Sequence, residues 1–156
     1  MMKKIILEIL MNLKLSKMYS VEDCIVVDLP KIHNDAGNIT FLENNKNIPF
    51  DIKRIYYLYD VPMGAERGGH GHYELEQYIV AASGSFAFVL NDGIDTKEIF
   101  LNDPSKALYI RSGIWREIKD FSSGSICLVL ASHVYEESDY MRDYEDYKKY
   151  RSNADH

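Results

Sequence analysis

The stretch that decides the fold, residues 64–77, reads GAERGGHGHYELEQ. In an extended chain, alternate side chains share one face. Four side chains of this stretch are predicted to share a face in this way: His70, His72, Glu74 and Glu76. Two imidazoles and at least one carboxylate would then meet in the protein interior. Such a cluster is typical of a metal site or of an acid–base site, and the spacing alone leaves both open.

The sequence around this stretch predicts an all-β protein. Short apolar runs alternate with turn residues such as Asn, Asp and Gly, and no long helical period competes with them. The predicted strands are 24–29, 39–42, 54–60, 77–82, 85–90, 97–101, 107–110, 116–119 and 125–131. Many short strands at such spacing indicate a sandwich or a small barrel.

The two ends of the chain differ from this β-rich middle. Residues 136–149 are rich in charge, and Tyr140, Tyr144 and Tyr147 fall at helical spacing, which predicts a C-terminal helix packed on the barrel. An aromatic platform for a nucleobase is the functional alternative. We therefore divide the chain into an N-terminal extension with helical character (1–17), a barrel (18–135) and a C-terminal helix and tail (136–156).

Composition and charge limit the partners. A chain of 156 residues with 46% hydrophobic residues fits one globular domain with a core. Lys and Arg number 18 against 24 Asp and Glu, and this net charge of -6 argues against nucleic acid as a partner. A few converging arginines can still bind one anionic small molecule.

Cysteine use and the N-terminus predict a cytoplasmic protein. The two cysteines, Cys24 and Cys127, lie in apolar runs without a Cys-x-x-Cys motif, as buried thiols in a reducing compartment do. The apolar stretch near the N-terminus is interrupted by Glu8, lacks a cleavage site and is too short to span a bilayer. We expect no membrane partner.

The histidine stretch resembles the first motif of the cupin family, a double-stranded β-helix or jelly-roll barrel. The matching residues are Gly64, His70, His72 and Glu76, with Gly84 one position later than in the motif. In the second cupin motif, Arg116 stands where a metal-binding histidine is expected. Because a guanidinium cannot donate a lone pair to a cation, acid–base chemistry without a metal or other cofactor is favoured. A weak metal site and merely structural histidines are the alternatives.

Within the cupins, the chain is similar to the nucleotide-sugar 3,4-ketoisomerases that act on dTDP-4-keto-6-deoxyglucose. The blocks that carry this resemblance are 49–57, 67–72, 75–77, 101–104, 108–110, 115–117 and 128–132. The resemblance implies a metal-free homodimer, often with exchanged strands, that makes a dTDP-3-keto-6-deoxyhexose for 3-amino-3,6-dideoxyhexoses of surface glycans. A cupin nucleotide-sugar 3,5-epimerase, a metal-dependent cupin enzyme and a sugar-binding cupin without catalysis are the rival functions.

The resemblance also implies that one histidine of the pair is the catalytic base. Moving the carbonyl from C4 to C3 needs a proton removed at C3 and one delivered at C4, which imidazoles can do near neutral pH. We assign His72 as the base at C3 and His70 as its partner. Tyr57 and Arg67 are the candidates for stabilising the enediolate.

Further residues are candidates for binding the nucleotide. The pyrophosphate is expected to attract Arg54, Arg111 and Arg116, and thymine to stack on Trp115 or Tyr109. Salt bridges and core packing are the alternatives for these side chains. Along residues 54–59, strand alternation puts Arg54 and Tyr56 on one face and Tyr57 and Tyr59 on the other, and the sequence leaves open which face meets the cavity.

Overall fold

The computed structural model describes residues 1–6 and 18–153. Residues 2–6 are helical, and the remainder of the predicted extension, residues 7–17, lies outside the described residues, as do residues 154–156. Within the described ranges, no helix combines the length and apolar composition needed to cross a bilayer.

Two antiparallel sheets form the body of the protein. In spatial order, the first sheet consists of β1 (Ile25–Asp28), β9 (Lys106–Ile110), β6 (Gln77–Ser83), β11 (Ile126–Ala131) and β4 (Arg54–Leu58). The second consists of β12 (Tyr140–Met141), β5 (Arg67–His72), β10 (Trp115–Lys119), β7 (Phe86–Asn91) and β8 (Thr96–Leu101). The predicted all-β jelly roll with a short C-terminal helix is confirmed, although its strands form two sheets and not one closed barrel.

The core fills the space between the two sheets. On β6, Ile79 and Ala81 face this core, while Tyr78 and Val80 belong to a second apolar cluster on the outer face of the sheet. The largest apolar side chains of the core come from both sheets: Phe86, Phe88, Leu90, Leu108, Ile110 and Val129. Burial of each such side chain contributes about 1.5–3 kcal/mol, so the core holds the sheets at a fixed separation.

A separate hairpin lies between β1 and β4 in the chain. Strands β2 (Lys31–Asn34) and β3 (Gly37–Thr40) pair only with each other among the described strands. The sequence predicts the turn at 34–37, where the Asn34 side chain accepts a hydrogen bond from the Ala36 amide at 2.7 Å. It does not predict β2, because that strand is exposed along its whole length and lacks the apolar alternation of a half-buried strand.

The C-terminal helix spans Tyr144–Asn153 and packs on the outer face of the second sheet, where Tyr147 contacts Trp115 and Met141. It begins later than the predicted residue 136 because residues 137–139 form a 3-10 turn and Tyr140 pairs with β5 as part of β12. Tyr140 is therefore not part of the tyrosine stripe of the helix.

Strand β5 carries both histidines, and glycine makes its course possible. A Cβ on Gly71 would lie 3.2 Å from the Met141 methyl group and 3.5 Å from the Tyr147 ring. Gly68 has a φ of +85°, and a Cβ there would lie 3.0 Å from the Arg116 carbonyl oxygen. Glycine at these positions thus lets β5 approach β10, β12 and the C-terminal helix closely while His70 and His72 project from the same strand.

Candidate active site

The site is built around a cavity of about 530 Å³ between the two sheets. The charged and imidazole side chains that line it are Arg54, Glu66, Arg67, His70, Arg116 and Arg142. Tyr56, Tyr135 and Tyr140 add phenol rings, and apolar side chains such as Phe88 and Val129 form its floor. Four arginines against one glutamate make the cavity suited to an anionic ligand.

The two histidines meet at this cavity in unequal positions. His70 lines the cavity, whereas His72 lies behind it and is fully buried. Their rings contact edge to face with centroids 4.9 Å apart, and the Tyr140 ring covers both at 5.1 and 4.3 Å. Burial and the nearby Arg116 charge lower the pKa of His70 to about 4 and lower that of His72 further. Both imidazoles are therefore neutral at neutral pH and carry a free lone pair.

His72 is held by a carboxylate from the far end of the chain. Its Nδ1 lies 3.0 Å from Asp139 Oδ2, and its buried Nε2 has no hydrogen-bond partner in the described part of the protein. Asp139 is itself fixed, because it accepts hydrogen bonds from the Glu74 amide at 2.8 Å and the Leu75 amide at 3.3 Å. A neutral His72 that donates from Nδ1 to Asp139 keeps its basic lone pair on Nε2.

The prediction that Glu74 and Glu76 join the histidines is wrong. Strand β5 ends at His72, so the alternation of side chains stops there. Glu74 is exposed, and Glu76 accepts a hydrogen bond from Tyr109 and pairs with Arg111 at 3.1 Å. The carboxylate that contacts the histidine pair is Asp139, which reaches it through His72 Nδ1.

The cupin metal position does not fit a metal ion in this chain. Among the described residues, no three His, Cys, Asp or Glu side chains converge to hold one. Glu76 pairs with Arg111 instead, and Arg116, whose guanidinium is fully buried, is the residue that stands at the fourth-ligand position of the sequence motif. A cation would be repelled by Arg116 at short range.

Arg116 instead organises a chain of hydrogen bonds. Its Nη1 donates to Gln77 Oε1 at 2.6 Å and its Nη2 to the Ile114 carbonyl at 2.8 Å, while its buried Nε has no partner in the described structure. Gln77 Nε2 in turn donates to the Tyr56 hydroxyl at 3.0 Å. Burial raises the pKa of Tyr56, so its phenol stays protonated at neutral pH.

The other cavity arginines differ in how well they are neutralised. Arg142 pairs with Glu137 through two contacts of 2.6 and 2.9 Å. Arg54 has buried Nε and Nη2 atoms without hydrogen-bond partners in the described structure and lies over the Tyr56 ring at 5.2 Å. Arg67 is exposed at the cavity mouth. Arg54 and Arg67 are thus the cations available to a ligand.

Tyr57 does not reach the cavity. The inward set on β4 is Arg54, Tyr56 and Leu58, and the Tyr57 side chain is 58% exposed on the opposite face, beside Tyr59. The phenol that β4 presents to the cavity is therefore that of Tyr56, the neighbour of the predicted Tyr57.

Three further predicted substrate contacts also lie away from the cavity. Trp115 faces the C-terminal helix, since it alternates with Arg116 along β10. Tyr109 packs in the outer apolar cluster, and Arg111 lies over its ring at 4.8 Å and over the Tyr19 ring at 3.7 Å. Their observed contacts are the packing and ion-pair alternatives.

Four further residues belong to the site, although the sequence pattern did not assign them to it: Tyr56, Gln77, Tyr140 and Asp139. Gln77 carried a usable signal, a polar residue at the first position of an apolar strand whose inward face continues with Ile79. Asp139 carried none, since it lies far from the histidines in the sequence and comes from a short 3-10 turn.

The chain is similar in sequence and structure to several proteins named as sugar 3,4-ketoisomerases. The chain is 44% identical over 125 residues to the TDP-4-oxo-6-deoxy-alpha-D-glucose-3,4-oxoisomerase of Aneurinibacillus thermoaerophilus, covering 80% of this chain and 90% of that protein. The crystal structure of a 3,4-ketoisomerase from Helicobacter canadensis matches with a TM-score of 0.81 and 43% identity, over 83% of this chain and 98% of the other. QdtA, a sugar 3,4-ketoisomerase from Thermoanaerobacterium thermosaccharolyticum solved with TDP, matches with a TM-score of 0.82 and 38% identity, over 88% and 98%.

A match to a protein-family model shows the family of the chain. The model described as "FdtA: WxcM-like, C-terminal" matches residues 22–152, which include both sheets, the histidine pair, Asp139 and most of the C-terminal helix. The chain belongs to this family.

Proposed function

We propose that the protein is a 3,4-ketoisomerase that converts TDP-4-keto-6-deoxyglucose to a TDP-3-keto-6-deoxyhexose by acid–base catalysis. The observation that carries this proposal is the pair of neutral imidazoles beside a cavity that also holds unpaired guanidinium groups. The activities named for the relatives at 38–44% identity support it. No electrons leave or enter the sugar overall, so the reaction needs no redox cofactor.

The first step is proton removal at C3. We assign His72 Nε2 as the base, because it is the unpartnered nitrogen and Asp139 holds the other ring nitrogen as a donor. The C3–H electrons form the C3=C4 double bond, and the C4 carbonyl electron pair moves to the oxygen, which takes a proton. Since the Tyr140 ring covers His72, that ring has to move aside for C3 to reach Nε2.

The second step completes the isomerisation. The C3 hydroxyl of the enediol loses its proton as the C3 carbonyl forms, and C4 receives a proton. Neutral His70, which lines the cavity, takes the C3 hydroxyl proton and delivers it to C4. The proton that His72 removed from C3 returns through solvent to the Tyr56 phenolate, so both side chains regain their starting protonation states. Positioned acid–base groups contribute about 10²–10⁴-fold in rate, so stabilisation of the developing oxyanion is also required.

Tyr56 and the arginines supply that stabilisation and bind the nucleotide. Tyr56 donates its phenol proton to the C4 oxygen, and Arg116 adds a buried positive charge beside it. Arg54, which has two buried nitrogens without hydrogen-bond partners in the described structure, and Arg67, which is exposed at the cavity mouth, bind the diphosphate. Charge-assisted hydrogen bonds of this kind contribute about 1.5–3 kcal/mol each.

The wider setting belongs to the same proposal. A homodimer with exchanged strands suits the hairpin of β2 and β3, on which Ile32 and Ile39 are 54% and 60% exposed, and the outer face of β4, on which Ile55 is 59% exposed. The product would serve an aminotransferase that makes 3-amino-3,6-dideoxyhexoses for surface glycans. Two buried free thiols, Cys24 and Cys127, suit a cytoplasmic location.

Proton NMR of the reaction tests the function. The protein is mixed with TDP-4-keto-6-deoxyglucose in deuterated buffer, and we expect the ketone to move from C4 to C3 with deuterium appearing at C4. A ketone that remains at C4 with deuterium at C3 and C5 would identify a 3,5-epimerase. Unchanged substrate would contradict the proposal and would favour a protein that binds the sugar without catalysis.

A further inference from the structure

We propose that Gln77 is a positioning residue that forces Tyr56 to point its hydroxyl proton into the cavity. This inference rests on the proposed function, because it concerns the group that donates to the C4 oxygen. It follows from the order of donors and acceptors along the chain from Arg116 to Gln77 to Tyr56.

Arg116 fixes the orientation of the Gln77 amide. A guanidinium has only hydrogen-bond donors, so the Gln77 atom that lies 2.6 Å from Arg116 Nη1 must be the amide oxygen. The amide nitrogen therefore faces the Tyr56 hydroxyl at 3.0 Å. The reverse orientation of the Gln77 amide would place its NH2 group against the guanidinium, two donors facing each other.

The amide in turn fixes the direction of the Tyr56 proton. An amide nitrogen only donates, so the Tyr56 oxygen is the acceptor in this contact and its own proton must point elsewhere. The described residues provide no acceptor for that proton, and Tyr56 lines the cavity. The phenol is thus left with one use for its proton, donation to a ligand oxygen.

Burial makes the arrangement rigid. Gln77 and Arg116 are each 2% exposed, so water does not compete for their hydrogen bonds. No carboxylate lies within 4.0 Å of Arg116 in the described structure, and Gln77 is the only side chain there to which it donates. A glutamine at this position therefore accepts a hydrogen bond from the buried cation without offering an acceptor to Tyr56.

Gln77→Glu reverses the polarity of the chain and tests the inference. The introduced carboxylate accepts from Arg116 and also from the Tyr56 hydroxyl, which turns the proton away from the cavity. We expect kcat to fall about 10²-fold with KM changed less than about threefold, since the nucleotide is bound elsewhere. In a Tyr56→Phe background, Gln77→Glu should cost less than about threefold more.

Gln77→Met is the matched variant that separates positioning from structural support. It removes the amide without offering an acceptor, so Tyr56 can still donate to the ligand, and we expect kcat to fall only about tenfold. It also leaves Arg116 buried without a side-chain partner, so it should lower the melting temperature more than Gln77→Glu does. The activity order and the stability order of the two variants should therefore be opposite.

A merely structural Gln77 predicts that the less stable variant is also the less active one, and that result would overturn the inference. Equal losses from Gln77→Glu with and without the Tyr56 hydroxyl would overturn it as well. TDP binding by calorimetry and circular dichroism establish that each variant is folded. If the wild-type protein leaves the ketone at C4, the proposed function and this inference are both wrong. If the wild type is active but the less stable Gln77 variant is also the less active one, only this inference is wrong.

Discussion

His72 Nδ1 lies 3.0 Å from Asp139 Oδ2, a contact that joins the strand of the histidine pair to a turn 67 residues later in the chain. The carboxylate also accepts the backbone amides of Glu74 and Leu75, so it closes the bend that follows β5. One side chain therefore holds both the backbone after the histidine and the tautomer of its ring. This contact couples His72 to the C-terminal segment.

Asp139→Asn should inactivate the protein without unfolding it. The amide oxygen can keep one backbone contact, but an amide nitrogen that faces His72 Nδ1 favours the tautomer with its proton on Nε2, where the lone pair is needed. We expect kcat to fall at least 10²-fold, measured by NMR as conversion of the 4-keto sugar. The exposed neighbour Glu136→Gln is the control and should stay within twofold of the wild type. Full activity of Asp139→Asn would show that His72 does not depend on this carboxylate.

Tyr56→Phe and Tyr57→Phe form a matched pair that tests which face of β4 carries the chemistry. Both changes remove only a hydroxyl, but Tyr56 faces the cavity and Tyr57 faces outward. We expect Tyr56→Phe to lower kcat about 10²-fold, as loss of an oxyanion donor does, and Tyr57→Phe to change it less than twofold. The reverse order of the two variants would restore the assignment made from the sequence.

The contrast between these two tyrosines also shows how far the sequence could go. Alternation along residues 54–59 correctly separated Arg54 and Tyr56 from Tyr57 and Tyr59, but it could not tell which set faces inward, because both sets contain tyrosine. That choice depends on β11, which pairs with β4 and puts Val129 opposite Tyr56 with both side chains toward the core.

The histidine pair shows the opposite case. The sequence correctly placed His70 and His72 together in the interior. Two side chains that are two residues apart point to the same face of any extended strand, whatever the exact twist of its backbone. The prediction wrongly extended the pattern to Glu74 and Glu76, since alternation holds only while the strand lasts and β5 ends at His72. The replacement carboxylate, Asp139, arrives through tertiary folding, on which local patterns carry no information.

Arg54→Met should weaken nucleotide binding more than it slows the chemistry. Two buried nitrogens of this guanidinium have no partner in the described structure, so their hydrogen bonds are available to a diphosphate. A charge-assisted hydrogen bond contributes about 1.5–3 kcal/mol, and loss of one bond at the lower end of that range corresponds to about a tenfold weaker Kd for TDP. Calorimetry measures it, with the exposed neighbour Lys53→Met as the control. Equal affinities for these two variants would exclude Arg54 from the diphosphate site.

The stability of the fold should fall between pH 6.5 and about 4 because of the buried histidines. The folded protein holds the pKa of His70 at about 4, whereas an unfolded chain binds a proton near 6.5. In that window the unfolded state binds more protons, so the free energy of unfolding decreases as the pH falls. The shift of His70 alone corresponds to at most about 3 kcal/mol.

Urea unfolding at a series of pH values measures this effect. The exposed Glu137, whose pKa Arg142 lowers from 4.5 to about 2, contributes only at and below the acid end of the window. His70→Asn is the control, because it removes one titrating group from the window and should flatten the slope between pH 6.5 and 4.5. A slope that is unchanged in His70→Asn would mean that this imidazole is not held in its neutral form by the fold.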